Sequence, residues 1–229
     1  MAVTLLLPGC GASIAGSGVE KSESRVLPNI GITKVRLDCP GELEIHQGSP
    51  ESLKITTDAN LLPLVLNLVR GDVLTLSTAP GPTIEPTRTI SFSLTVKDLK
   101  QFGLTGSGTT TIDRAASSDL KLMISGSGQI TAHNVTVDNL MMEMSGTGRI
   151  DVDGHCQSEN VTVSGTGRCG ARGVSAQSAS VNLSGVGTID VNVAKKLDVT
   201  LAGPGSVHYW GSPVVSKTIS GVGSVEAMH

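Results

Sequence analysis

The chain has 229 residues, 38% hydrophobic and 16% charged, with a net charge of −3; that balance supports a buried core and sets aside global disorder. Lysine and arginine form no cluster and aromatic residues make up only 2% of the sequence, so the basic stripe and stacking rings of a nucleic-acid binder are missing. No apolar run reaches the roughly 18 residues that a spanning helix requires.

With two Phe, one Trp and one Tyr, the core must be filled by Val, Leu, Ile, Met and Ala alongside 28 Gly. Thin, regularly stacked layers suit that palette better than a thick irregular core, which relies on bulky rings.

Residues 1–18 read as an export signal or lipobox-like tail. Ala2 to Leu7 form a short apolar stretch that leads into Leu7-Pro8-Gly9-Cys10. A small residue before Cys, with Leu three positions earlier, is the pattern in which the Cys becomes lipid-modified, so Cys10 is the candidate attachment site. The stretch lacks a basic n-region, is shorter than a usual signal core, and carries an atypical Pro8. A start site further upstream would supply both missing features; an ordinary cleaved signal and a disordered tail are the alternatives. The other cysteines are Cys39, Cys156 and Cys169. An odd number beyond Cys10 argues against a disulfide framework, and no Cys/His spacing suggests zinc.

Residues 19–229 read as a single domain, with 26–100 its less regular part; a separate small N-terminal β domain is the alternative. Val35-Arg36-Leu37 and Leu43-Glu44-Ile45 alternate apolar and polar residues around Cys39-Pro40-Gly41, as strands around a corner do. Leu53-Lys54-Ile55 and Val73-Leu74-Thr75-Leu76 predict further strands. The apolar run Leu61 to Val69 contains Pro63, which favours strand or corner over helix. Residues 79–88, with Pro80, Pro82 and Pro86, predict a loop.

From 101 to 229 the chain repeats. Gly-x-Gly occurs at Gly106/Gly108, Gly126/Gly128, Gly146/Gly148, Gly165/Gly167, Gly185/Gly187, Gly203/Gly205 and Gly221/Gly223, in steps of 20, 20, 19, 20, 18 and 18. A fixed period of this size is the mark of a solenoid. Two residues before the first Gly stand Leu104, Ile124, Met144, Val163, Leu183, Leu201 and Ile219; four after it stand Ile130, Ile150, Cys169, Ile189, Val207 and Val225. Period-2 alternation on both sides of a glycine corner gives strand, tight bend, strand. A third segment, as at Val135-Thr136-Val137, completes a three-sided coil. Gly at the corner would supply positive φ and let successive backbones stack closely. The expected fold is therefore all-β: a right-handed parallel β-helix with coils of about 20 residues.

The layout resembles a bacterial family of envelope proteins, "putative auto-transporter adhesin, head GIN domain". The features that carry the resemblance are Gly16-Ser17-Gly18 leading to Glu23 and Arg25, Gly41-Glu42-Leu43-Glu44-Ile45-His46-Gln47-Gly48, Asp58-Ala59-Asn60-Leu61-Leu62, Arg70-Gly71-Asp72-Val73-Leu74 and the serial Ser-Gly-x-Gly corners. Cys39-Pro40 departs from the usual small-residue corner. The resemblance implies an exported, often lipid-anchored β-helix-like protein of the bacterial cell envelope, periplasmic or at the outer surface, and brings no catalytic residues.

Several constellations remain. Gly165-Thr166-Gly167-Arg168-Cys169-Gly170 spells a dinucleotide fingerprint, but the residues after it make no helix start. Asp151 and Asp153 resemble a calcium β-roll without its nine-residue period. In register, Asp151 and Asp190 share one outward column, while Asp113, His133, Asp153 and Arg172 share another; together they could serve a polysaccharide-active enzyme or form a solvated face. Met123, Met141, Met142 and Met144 read as core or near-core filler. Tyr209 falls on an inward position and Trp210 on an outward one, so Trp210 is the candidate contact for a glycan or surface protein. The expected role is non-enzymatic, with no cofactor, no metal and no nucleic acid; a last coil without a polar cap allows end-to-end self-association.

Overall fold

The computed structural model describes residues 13–28 and 31–229. Its N-terminal part holds β1 (Ser13–Ala15), β2 (Glu20–Arg25), β3 (Lys34–Leu37), β4 (Gly41–Gln47), β5 (Ser52–Asp58), a 3-10 turn at Leu62–Leu64, β6 (Val65–Arg70), β7 (Val73–Thr78), β8 (Thr83–Glu85) and β9 (Ser91–Val96). Then come β10 (Gln101–Leu104), β11 (Ser107–Ile112), β12 (Ala115–Ile124), β13 (Ser127–Met144), β14 (Thr147–Val163), β15 (Thr166–Leu183), β16 (Val186–Leu201), β17 (Gly205–Trp210), β18 (Val214–Ile219) and β19 (Gly223–Ala227). They wind into a parallel β-solenoid of about 6 turns.

Each of β13 to β16 runs through a whole coil, from one glycine corner to the next. Successive coils pair in register, so Ile130, Ile150, Cys169, Ile189 and Val207 stack in one column and Leu122, Met142, Val161, Val181 and Val199 in another. Every one of these side chains is buried. In β13 the buried positions fall into three groups separated by exposed pairs at 133–134 and 138–139. Those pairs are the bends of a three-sided coil. The coils differ in length by one or two residues, and register shifts at Ala132/Val135, Asp151/Asp153 and Ala171/Ala176 absorb much of the difference at the same bend. Alignment is thereby kept on the flanking sides.

The corners rest on space more than on backbone angle. A Cβ built on Gly126 would lie 2.1 Å from the carbonyl oxygens of Gly106 and Thr105 one coil earlier, and one on Gly146 would lie 2.0 Å from that of Gly126. Contacts of 1.9 to 2.0 Å recur at Gly165, Gly185 and Gly203. The expected positive φ is found at the second glycine of several corners, as at Gly128 (154°) and Gly148 (158°), and not at Gly126. Gly187 corrects that expectation most plainly. It is the second residue of β16, paired with Gly167 on one side and Gly205 on the other, and it lacks the positive φ of both neighbours. Like Gly128, Gly148 and Gly167, Gly187 is the second residue of its strand, and what bars a side chain there is the Gly167 carbonyl oxygen, 1.9 Å from where its Cβ would sit. In both glycine columns the common requirement is that no side-chain carbon fits between the stacked backbones. The Cys39-Pro40-Gly41 corner obeys the same register, since Gly41 pairs with Gly108 and Leu37 with Leu104; Cys39 turns its side chain into the core.

The first third departs from a simple winding. The coil made by β3 and β4 lies between β7–β9 on one side and β10–β11 on the other, although it precedes both in the chain. Beyond β7 and β9, antiparallel β6, β5 and β2 close this end. Edge strand β2 reads Glu-Lys-Ser-Glu-Ser-Arg, a charge pattern that discourages further pairing. Both phenylalanines, Phe92 and Phe102, are fully buried in this irregular part, where stacked aliphatic layers are interrupted and larger fillers are needed. The 79–88 segment is not loop throughout, because β8 within it pairs in parallel with β1. That pairing also draws Ser13–Ala15 out of the expected tail and into the folded body. Asp58 and Asn60 latch the segment: Asp58 accepts the Gly18 N–H at 2.7 Å and Asn60 the Ser17 N–H at 2.8 Å, while Asn60 Nδ2 donates to the Ala15 carbonyl at 2.8 Å. The Leu61–Val69 run divides between the 3-10 turn and β6. At the far end, β18 pairs with β16 and β19 with β17, leaving one edge of each open among the described residues.

One core column is broken by an acid. Leu120, Leu140, Glu159, Ala179 and Leu197 are stacked, and Glu159 is 1% exposed with neither carboxyl oxygen hydrogen-bonded among the described residues. Burial pushes its carboxyl up to about 8, so it is mainly neutral at pH 7. The thiols of Cys156 and Cys169 share this interior and are pushed up to about 12, first by burial and then by Glu159; all three described cysteines are free.

Two predictions follow from the stacking and the buried acid. Gly126→Ala should cost about 3 kcal/mol or more by thermal unfolding, whereas Gly48→Ala, whose Cβ would meet only Thr95 Cγ2 at 3.5 Å, should change little. For Glu159, the stabilising effect of folded-state proton binding is complete below the ordinary value of 4.5 and is lost as pH rises to about 8. That loss is on the order of 4 kcal/mol, so Glu159→Leu should raise the Tm at pH 8 and flatten the fall in Tm between pH 5 and pH 8.

Candidate functional site

The side of each coil that follows the glycine corner forms a flat parallel sheet, with like positions about 4.8 Å apart along the stack. Three outward columns run up it. The first carries Gln129, Arg149, Arg168 and Thr188; the second Thr131, Asp151, Gly170, Asp190 and His208. The third, less regular, lies at the bend and carries His133, Asp153, Arg172, Asn192 and Trp210; there Asp153 is in register with Gly173 and Trp210 with Asn192.

Charges on this face pair within and between coils. Arg149 binds Asp151 within its own strand. Arg168 Nη2 reaches Asp190 Oδ2 at 2.5 Å, and His208 Nδ1 lies 2.9 Å from Asp190 Oδ1. Asp153 faces His133 Nδ1 at 2.6 Å and accepts the Asn134 N–H at 2.9 Å. Partial burial works against ionisation of Asp153, but the Asn134 N–H and the His133 imidazole outweigh it and hold the carboxyl below its usual range. Asn134 itself adopts φ 51° at the bend and donates from Nδ2 to the Asp113 carbonyl. Further along, Asp113 engages His46.

Asp190 overturns one expectation. It shares a column with Asp151 as the register predicts, yet it is 1% exposed and not a solvated surface carboxylate. The reason is local: Gly170 stands between them, and Arg168 passes 3.9 Å from where a Cβ at 170 would sit. A long side chain at 170 would block that path. Nothing in the column spacing alone reveals this pairing, although the lone Gly among Thr, Asp and His was the available signal. Trp210 does face outward, but it is half-buried, with the Arg172 guanidinium 4.7 Å from the ring centroid. Tyr209 packs against the core.

Between these residues lies a shallow trench of about 230 Å³, floored by Gly170 and Gly173 and walled by His133, Asp151, Asp153, Arg168, Arg172 and Asp190. It unites the two predicted columns. Such a surface can offer hydroxyl-binding carboxylates, a guanidinium and an aromatic ring to a ligand lying along the stack. Gly165–Gly170, the dinucleotide-like motif, is corner and strand with no helix to receive a phosphate. Among the described residues no three His, Cys, Asp or Glu side chains converge as metal ligands. Met142 and Met144 are core residues, while Met123 and Met141 are partly exposed. Cys10 lies outside the described residues.

The family model described as "Putative auto-transporter adhesin, head GIN domain" matches residues 32–213. In three dimensions the chain is similar to the crystal structure of a "putative adhesin" from Bacteroides fragilis, with a TM-score of 0.88 and 21% identity over 94% of this chain and 100% of that one. It is also similar to a "putative lipid binding protein" from Parabacteroides distasonis (TM-score 0.75, 22% identity, 95% and 100% covered). A third similar structure is a "putative adhesin" from Parabacteroides merdae (TM-score 0.71, 18% identity, 95% and 100% covered). No curated protein matches in sequence. At these identities the likeness establishes a common fold.

Proposed function

Because the chain belongs to the "Putative auto-transporter adhesin, head GIN domain" family, we propose that it is exported to the bacterial envelope, held there by a lipid on Cys10, and acts as a non-enzymatic, adhesin-like binding surface. The observation that carries this reading is the face beside the trench, where register stacking turns single outward residues into columns that run along the solenoid. An extended glycan or an elongated surface protein can follow such columns, whereas a compact substrate would meet only a shallow depression. Trp210 is the natural contact, since an aromatic ring supplies large area at little entropic cost.

The competing reading, a polysaccharide-active enzyme, asks the same carboxylates to move protons. Asp151, Asp153 and Asp190 are each already engaged by Arg149, by His133, or by Arg168 and His208. These pairs favour a rigid recognition surface over proton transfer.

The binding reading predicts that the full chain, carrying Cys10→Ala for solubility, selects particular members of a panel of bacterial and host glycans and matrix proteins. Trp210→Ala should weaken that binding about tenfold or more; selective binding indifferent to Trp210→Ala would move the contact elsewhere. For the anchor, Cys10→Ala should shift the protein from the membrane to the soluble fraction of cells, and unchanged fractionation would remove the lipid from the account.

A further inference from the structure

The glycines on this outer face differ from those at the corners. A corner glycine is held by backbone one coil away, with carbonyl oxygens about 2 Å from any added Cβ. At Gly170 the nearest atom to a built Cβ is Asp151 Oδ1 at 2.6 Å, the tip of a side chain, and the next is 3.7 Å away; at Gly173 it is the Asp153 Cβ at 2.9 Å. Backbone stacking therefore does not demand Gly170. Its consequence is an opening at the point where the bend shifts register.

The charges around the opening are unequally satisfied. Asp151 and Asp190 are paired with Arg149 and Arg168, and Asp153 faces the His133 ring and accepts the Asn134 N–H, which leaves little for a metal ion to gain. Arg172 differs: among the described residues no carboxylate lies within ion-pair distance of it, and its guanidinium lies over the Trp210 ring. A guanidinium stacked on an indole is fixed in plane while the N–H groups at its edge remain available, and that fork matches a carboxylate in bidentate geometry. Beside it, Thr131 and the paired carboxylates present hydroxyl-binding groups. One fixed cation for a carboxylate, an aromatic ring and several acceptors for hydroxyls are the complement of a carboxylated sugar.

We propose that the trench over Gly170 and Gly173 binds the uronic-acid type of sugar in an acidic polysaccharide, with Arg172 pairing its carboxylate. This rests on the binding reading above and gives it a ligand class.

Trp210 is the sole tryptophan and carries the Arg172 guanidinium over its ring, so its fluorescence reports on what happens at Arg172. The experiment titrates the full chain with polygalacturonate, with the same polymer methyl-esterified, and with neutral dextran. Saturable change with polygalacturonate alone is expected, weakened by salt and reduced about tenfold or more in Arg172→Gln, partly restored in Arg172→Lys. Gly170→Gln should fill the trench and give a similar loss, and Gly170→Ala, a smaller change, checks that the effect is not one of folding. Equal affinity for the esterified polymer, or binding unchanged in Arg172→Gln, would overturn the carboxylate assignment. Binding of neutral glycans or of matrix proteins that is lost in Trp210→Ala would overturn it too, while leaving the wider adhesin-like reading intact.

Discussion

At every regular corner of this solenoid two backbones approach so closely that a single added carbon would sit about 2 Å from a carbonyl oxygen of the coil before. That contact sets the vertical register of the whole stack. Once Gly126 sits on Gly106, and Gly146 on Gly126, the residues on either side have no freedom to slip. A one-residue slip would turn every inward side chain to water. Apolar columns inside and charged columns outside are two results of one steric condition.

The same condition explains how a chain with so few rings builds a core. Aliphatic side chains of similar size stack on one another in thin layers, each coil burying its face against the next. Where the layering is interrupted, at the N-terminal closure, the two phenylalanines are found. Glu159 shows the cost tolerated by a stack whose register is held elsewhere: a carboxyl stands in a column of Leu and Ala, mainly neutral, with no partner among the described residues.

The repeats after residue 101 were legible in the sequence because period and alternation are local signals, and the inward positions of Ile150, Val161 and Val181 follow from them directly. The backbone angle at Gly187 was not, since spacing marks where glycine recurs without saying whether a bend or a close approach requires it. The first third was less open to reading as a whole. That β3 and β4 lie between two later pairs of strands, and that β2, β5 and β6 run antiparallel over the end, depends on contacts far apart in the chain, for which no spacing rule exists. At the candidate site, the columns and Trp210 could be read from the register. The burial of Asp190 could not, because it depends on a long arginine crossing a glycine in the next column. Nor could the Arg172–Trp210 stack, which arises at a bend where coils of unequal length meet. Glu159 did carry a signal, a lone acid in an apolar column, visible only once the column six before the corner is written out.

The placement of β3 and β4 also bears on mechanics. In a simply wound solenoid, tension on one end peels the terminal coil away strand by strand, breaking few hydrogen bonds at a time. Here the first full coil in the chain, β3 and β4, is not terminal in space. Ser13–Ala15 is paired with β8 and latched through Asp58 and Asn60, and the coil that follows is gripped on both sides. A pull delivered through the N-terminus must first break the latch and strip edge strand β2 from β5, then draw an interior coil out against two neighbours at once. Unravelling from that side is resisted in shear.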